Sequence, residues 1–293
     1  MVVENFFKNN FDLVDDVYVF EKKDDYAENF GKQWKAYRDV QIDSINNNTI
    51  SFDYLNELTF FDLENFSDKS ILEIGCGAGR FTEILVNKSK LCVAVDLSSA
   101  VYHNISKGNK NLFIIKSNFL KLIPQEKFDI VICRGVLQHT KNPDESIIKL
   151  FDFVKKNGNV YFDIYKKPLL KLHPKYTFWR PVLNILFTYE KLEKFLIKRI
   201  KILLKIKYFL MKYIFFSKKI SDIFIPIYYY KNELNLTDKE LEKWAILDTL
   251  DGMYAKYDKP MYNREVVKLL SKNNLQLLRN NKKRNFFKAK LNV

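Results

Sequence analysis

Three glycines alternate at positions 75, 77 and 79, inside Ile71-Leu72-Glu73-Ile74-Gly75-Cys76-Gly77-Ala78-Gly79-Arg80. An apolar run that reads as a buried strand leads into them, and an amphipathic segment leads out. Strand, glycine turn and helix are the physical recipe for gripping an extended cofactor at a helix N-terminus. Glycine has no Cβ, so its backbone can touch the ligand and take a positive φ. Asp96 closes the next apolar run, Leu91 to Val95, and a carboxylate there can accept from both hydroxyls of a ribose. Side chains able to move a proton are few. His139 follows a later apolar run, and Asp248 and Asp251 stand at i and i+3, on one face of a helix.

Two cofactor families use this geometry. The dinucleotide fingerprint needs its third glycine at position 80, where this chain has Arg80. The G-x-G-x-G form, with Glu73 two residues earlier, resembles motif I of the class I S-adenosylmethionine (SAM) methyltransferases. Later segments extend the resemblance. Asn111 to Ile115 reads as a third strand, followed by Lys116-Ser117-Asn118-Phe119. Phe128 to Cys133 reads as a fourth, followed by Arg134-Gly135-Val136-Leu137-Gln138-His139, and Pro143-Asp144-Glu145 opens a helix. Asn157-Gly158-Asn159 reads as a turn and Val160 to Ile164 as a fifth strand. Phe30-Gly31-Lys32-Gln33-Trp34 with Tyr37, and Asp248-Thr249-Leu250-Asp251 followed by Tyr257-Asp258-Lys259-Pro260, resemble the terminal signatures of one bacterial subgroup. That subgroup often accompanies surface-polysaccharide or secondary-metabolite genes.

The resemblance implies S-adenosyl-L-methionine as cofactor and S-adenosyl-L-homocysteine (SAH) as product. It implies that Gly75, Gly77 and Gly79 approach the methionine and ribose, and that Glu73 orients the loop or reaches the amino group through water. Asp96 holds the ribose, and Leu97 packs on the adenine. Asn118 and Phe119 read the adenine edge and face, Arg134 lines the site through its backbone, and Trp34 and Tyr37 form an aromatic lid. The chain departs from the pattern at Asn118, where Asp is commoner. For the proton three candidates stand: His139, which is otherwise a hydrogen-bonded structural residue, and Asp248 and Asp251, which otherwise cap and pair with Lys243 and Lys256. Asp163 and Tyr165, ending the fifth strand, are expected at the mouth of the pocket.

Positioning these groups requires an α/β, Rossmann-like, doubly wound sheet of seven strands, mostly parallel with an antiparallel last strand. We expect a helical N-terminal cap over residues 1–65 and a cofactor-binding core over 66–165. A basic helical insertion spans 166–257, broken by Pro168, Pro174, Pro181 and Pro226. Residues 258–293 return to the core with a helix over Asn263 to Lys272 and strands over Leu275 to Arg279 and Phe286 to Leu291. At 293 residues the chain can bury a large core. No run of eighteen apolar residues is present, and MVVENFFKNN lacks a basic region ahead of an apolar one. A cytoplasmic protein with no membrane span is expected. Cys76, Cys92 and Cys133 have no metal spacing and read as buried, reduced thiols, so no metal is expected.

The net charge is +14, and its position matters more than its size. Residues 166 to 220 hold 13 Lys and 2 Arg against Glu190 and Glu193, which accounts for nearly all of the excess. Three readings follow: lysines facing solvent from a helix packed on the core, an electropositive mouth for an anionic acceptor, or a surface for membrane or nucleic acid. The functional expectation is O-methylation of a small anionic acceptor, a sugar or phosphorylated intermediate of surface-polysaccharide assembly. An RNA methyltransferase and a non-catalytic SAM-binding protein are the alternatives.

Overall fold

Near-continuous apolar runs give the strands of a sheet covered on both faces. A computed structural model describes residues 3–23, 25–167, 175–215, 218–230, 233–234 and 236–292. Among the described residues nine strands form one sheet: β1 (Asp12–Val14), β2 (Val17–Val19), β3 (Ser70–Ile74), β4 (Leu91–Asp96), β5 (Leu112–Lys116), β6 (Phe128–Cys133), β7 (Val154–Asp163), β8 (Leu275–Asn281) and β9 (Phe286–Leu291). Their order is β1-β2-β5-β4-β3-β6-β7-β9-β8. The five strands β5-β4-β3-β6-β7 are parallel, and β9 runs antiparallel to both β7 and β8. The order reverses at β3, which makes its C-terminal edge the switch point where ligands bind in such sheets.

Alternation along each strand builds the two apolar layers. Leu72, Val131 and Phe162 face the helices Pro143–Lys149 and Asn263–Lys272, through Ile147, Val266 and Leu270. Their neighbours Ile71, Ile130, Ile132 and Tyr161 face the helices Ile50–Leu58 and Thr82–Lys88, through Leu55, Leu58 and Leu85.

The sheet has two strands more than the seven expected, and both come from the N-terminal segment read as a helical cap. Leu13-Val14-Asp15-Asp16-Val17-Tyr18-Val19 folds as a hairpin. Asp15 and Asp16 take φ of 51° and 60°, the left-handed pair that a two-residue turn of matching twist demands. The second strand of the hairpin runs parallel to β5 and extends the sheet. Buried Lys116 fixes this edge, donating from Nζ to the carbonyls of Glu21 and Lys22 at 3.0 Å each. The remainder of the segment is helical, with Glu28–Tyr37 and Ile50–Leu58.

A second correction falls at Asn157-Gly158-Asn159. These residues lie inside β7, which pairs with β6 at Phe128–Val154 and resumes at Ile130–Asn159. The extra residues bulge out rather than end the strand. A Cβ on Gly158 would stand 2.6 Å from the Asp129 carbonyl, so the glycine serves close backbone approach.

The chain divides into two units. One comprises Met1–Arg38, Ile42–Lys167 and Lys256–Val293 and contains the sheet; the other comprises Asp39–Gln41 and Pro168–Ala255. The second is helical, with Arg180–Leu186, Tyr189–Phe209, Lys218–Phe224 and Asp238–Tyr254. Pro181 starts the first of these at a position that needs no N–H, and Pro226 lies just past the third. Pro168 and Pro174 lie outside the described residues. Thr188 caps the long basic helix, and Thr237 with Glu240 forms a capping box on the last. Among the described residues no helix is long and apolar enough to cross a membrane.

Candidate active site

All three glycines of the loop after β3 are left-handed, with φ of 83°, 52° and 98° at Gly75, Gly77 and Gly79. The space around them is as restrictive as the dihedrals. A Cβ on Gly75 would lie 2.0 Å from Val136 Cγ2, and one on Gly79 would lie 2.5 Å from Asn104 Oδ1. A Cβ on Gly77 would touch the Trp34 indole at 3.4 Å. The helix Glu28–Tyr37 carries half-buried Trp34 and buried Tyr37, and it packs on the turn Ser99–His103 just after β4.

Asp96 ends β4 and ties the two loops together. Its Oδ2 accepts from the Gly77 N–H at 2.9 Å, and its Oδ1 accepts from the Ser98 N–H and hydroxyl at 2.7 Å each. Glu73 is buried beneath the loop. Its Oε2 accepts from the Thr82 hydroxyl at 2.7 Å, while its Oε1 is buried with no hydrogen-bond partner. Burial pushes this carboxyl up from 4.5 to about 8, the Thr82 bond opposes the shift, and the Asp96 charge adds to it. Asn104 donates to Thr82 Oγ at 3.2 Å and thereby braces the same loop. Thr82 and Asn104 carry no motif signal; only folding brings them here.

Leu97 is buried beside Asp96. Asn118 caps the turn Phe119–Lys121, its Oδ1 accepting from Leu120 N–H at 3.1 Å. A backbone N–H can only donate, so the outward group of this amide is its NH2. Phe119 is buried in the main core. The thiols of Cys76, Cys92 and Cys133 are free and buried, and burial holds all three well above the ordinary range.

The acceptor-side residues sort less simply. Asp163, expected at the pocket mouth, is buried, pairs with Arg134 Nη1 and accepts from the Gly135 N–H at 2.6 Å. The Arg134 side chain, for which only a backbone role was expected, is thus held in an ion pair. Its guanidinium lies over Tyr54 and Phe286, at 5.8 and 5.1 Å from the ring centres, and its Nε is buried without a partner. Arg80 and Arg284 also approach Tyr54, at 5.6 and 5.8 Å. Three guanidiniums thus surround one ring.

His139 sits after β6, its ring between Phe30 at 5.1 Å and Tyr165 at 5.4 Å. Its Nδ1 lies 2.9 Å from the Tyr257 carbonyl. A carbonyl only accepts, so Nδ1 carries the hydrogen in this contact, which in the neutral ring leaves the lone pair on Nε2. Next to it, Gln138 accepts from Tyr165 N–H at 3.4 Å through Oε1, and its Nε2 is buried without a partner. Asp248 and Asp251 belong to the other unit. Asp248 accepts from Tyr230 OH and, at 3.5 Å, from Gln41 Nε2. Both of these partners are neutral donors. Among the described residues no group of His, Cys, Asp and Glu could hold a metal ion.

Comparison with known proteins covers the same region. A family model described as a methyltransferase domain matches residues 50–196, half of the chain. A mitochondrial ubiquinone biosynthesis O-methyltransferase of Schizosaccharomyces pombe is 29% identical over 156 residues, covering 49% of this chain and 56% of the relative. A malonyl-[acyl-carrier protein] O-methyltransferase of a Paenibacillus species is 29% identical over 118 residues, covering 36% and 43%. The chain thus spans about half the length of the curated relatives it matches. The solved structure of PKMT2 from Rickettsia typhi superposes with a TM-score of 0.50 at 17% identity, over 78% of this chain and 43% of that one, a likeness of fold.

Proposed function

The chain belongs to the class I SAM-dependent methyltransferases, and from that premise we propose that it methylates an oxygen of a small acceptor that carries an acidic group. The observation that carries this reading is His139, held by the Tyr257 carbonyl in the tautomer a base requires. A hydroxyl must lose its proton to become a good nucleophile, and a positioned base contributes about 10²–10⁴-fold.

The residues fit the cofactor. Three left-handed glycines leave a cradle that a Cβ would fill, and Asp96 stands at the end of the next strand. In this reading Asp96 accepts from the ribose hydroxyls and Leu97 lies against the adenine. The Asn118 NH2 donates to a ring nitrogen, which suits an Asn where Asp is commoner. Glu73, with its orphaned oxygen, receives the cofactor's amino group directly or through water. Trp34 and Tyr37 close over the methionine end. When bound, the cofactor supplies an activated methyl group on a sulfonium. The chain's part is then orientation, exclusion of water and removal of one proton. Orientation alone is worth roughly 7–11 kcal/mol. His139 Nε2 takes the acceptor proton, the Tyr257 carbonyl steadies the imidazolium through Nδ1–H, and Phe30 and Tyr165 hold the ring plane.

Support for an acidic acceptor comes from Arg80, Arg134 and Arg284 around Tyr54. Guanidiniums bind carboxylate and phosphate in paired hydrogen bonds. Arg134 and Arg284 are partly balanced by Asp163 and Glu57. A sugar or phosphorylated intermediate of surface-polysaccharide assembly is the acceptor class we propose, on the subgroup resemblance and this cluster. The names of the matched relatives do not point to it. The test is transfer of labelled methyl from SAM into a native-source extract split into small-molecule, nucleic-acid, lipid and protein fractions. Label on an oxygen of an acidic small molecule, absent with His139→Gln, is the expected result. Label in RNA would overturn the acceptor class, and label on nitrogen would overturn the role of the base.

A further inference from the structure

The basic helix Tyr189–Phe209 has one buried apolar face and a second that is largely exposed, although Phe195 of the latter meets Phe187 at 5.7 Å. Leu192, Leu196 and Ile200 are buried, at the i, i+4, i+8 spacing of an inward face. A second stripe, Phe195, Ile202, Ile206, Phe209 and Tyr213, is 40, 52, 44, 52 and 56% exposed. At 100° per residue the first four fall within one narrow sector, about a quarter-turn from the buried face; Tyr213 follows in the π-helical turn Leu210–Phe215, and exposed Ile197 and Tyr208 lie on the far side. Exposed apolar side chains continue in the same unit at Ile185 and Leu186 and, after the helix, at Ile220 and Ile223. Isolated exposed apolar residues need no explanation, but a run of this length does.

Charge decides what the stripe meets. Lys191, Lys194, Lys198, Lys201 and Lys205 are exposed and flank it on one side, with Arg199 on the other. The only acids on the helix, Glu190 and Glu193, lie in its first two turns. Lys207 is the exception that shows the rest to be a choice of the fold. It is buried, pairs with Asp222, and donates to the carbonyls of Ile225 and Ile227. One lysine is therefore spent on structure, and beyond Glu193 the helix carries no acid to offset the exposed ones. Protein interfaces share the aromatics but are depleted in lysine, which here borders the whole stripe. Phe, Ile and Tyr bordered by lysines whose stems can snorkel are the composition of a helix lying at a lipid–water interface.

We infer that the Phe195–Tyr213 stripe and its flanking lysines dock this unit onto an anionic phospholipid surface. The apolar side chains enter the headgroup boundary, and the lysines meet phosphates. Each basic residue near such a surface raises the partition by about fivefold, an effect that salt removes.

The test is co-sedimentation of the full chain with phosphatidylcholine vesicles made with and without phosphatidylglycerol, at low and high salt. Wild type is expected to pellet only with phosphatidylglycerol and to be released by salt. Ile202→Glu with Ile206→Glu, and separately Lys198→Gln with Lys205→Gln, are expected to reduce binding about tenfold or more. All four side chains are exposed, so the fold should tolerate the changes. Absence of vesicle binding, or binding equal in both double variants and wild type, overturns the inference. So does a dimer that Ile202→Glu dissolves, or RNA binding lost in the lysine variant, when vesicles are not bound. SAH titration of the same samples reports on the sheet unit separately. Its failure with vesicle binding retained would count against the methyltransferase reading and leave this one standing.

Discussion

Glu73 is where a single side chain exposes most of the design. A carboxyl buried under the glycine loop and raised to about 8 keeps its proton near neutrality in the folded chain, while the unfolded chain has lost it above about 4.5. Its contribution is therefore complete below pH 4.5 and falls as pH rises towards 8, by about 1.4 kcal/mol per pH unit. Glu73→Gln, which mimics the protonated form, should flatten that decline. Urea unfolding at pH 5.5 and 7.5 measures it, and parallel behaviour of the two proteins would refute the burial argument. His139→Gln should lower turnover by about 10²–10⁴-fold with SAH affinity unchanged; a loss of both would make His139 structural, the role its Tyr257 bond also allows. The strand pattern in the sequence put Glu73 in β3, Asp96 at the end of β4 and His139 just after β6, where the structure has them. It could not show that Asp163 is consumed by Arg134, or that Thr82 and Asn104 brace the loop, because those contacts join residues distant along the chain.

At the scale of elements, the glycine loop and its strands were readable because each has a local cause. A buried parallel strand must be apolar throughout, and a ligand-gripping turn must be free of Cβ. The fourth strand, Phe128–Cys133, and the helix Asn263–Lys272 fall where the pattern puts them. The N-terminal hairpin had a signal too, two acidic turn residues between short alternating strands, but a pair of aspartates is a weaker cue than Asp-Gly. Gly158 misled for a sound reason: a glycine flanked by asparagines suits a turn, and here it serves a bulge. Two glycines separate dihedral strain from crowding. Gly108 has φ of 91° and open space where a Cβ would go, whereas Gly75 would meet Val136. Gly108→Ala should cost about 1–2 kcal/mol, and Gly75→Ala a further 1–3 kcal/mol together with loss of SAH binding. Equal costs in urea unfolding would mean that Val136 simply moves aside.

For the whole molecule, charge and composition pointed to one segment but not to its use. Thirteen lysines between 166 and 220 read alike in sequence, yet Lys207 is buried in an ion pair while those of the neighbouring turns face outward. Helical periodicity alone could not distinguish them, since the helix has two apolar stripes and only packing shows which is covered. The division into two units gives a calorimetric prediction. SAH at a hundred times its Kd should stabilise the unit that binds it by about 2.7 kcal/mol. If the units unfold separately, only the transition of the sheet unit should move upward, and a shift confined to the helical unit would relocate the cofactor.

The proposed cofactor grip at Asp96 is tested by calorimetric titration of SAH into wild type, Asp96→Asn and His139→Gln. Asn retains the shape of the side chain and can still accept from Gly77 N–H, which keeps the glycine loop tied, although its NH2 no longer accepts from the Ser98 N–H. Hydrogen bonds to a charged acceptor are worth about 1.5–3 kcal/mol each. The prediction is saturable binding to wild type, affinity reduced about tenfold or more by Asp96→Asn, and none of that reduction in His139→Gln. Wild-type affinity retained in Asp96→Asn, or no binding to wild type, would contradict it.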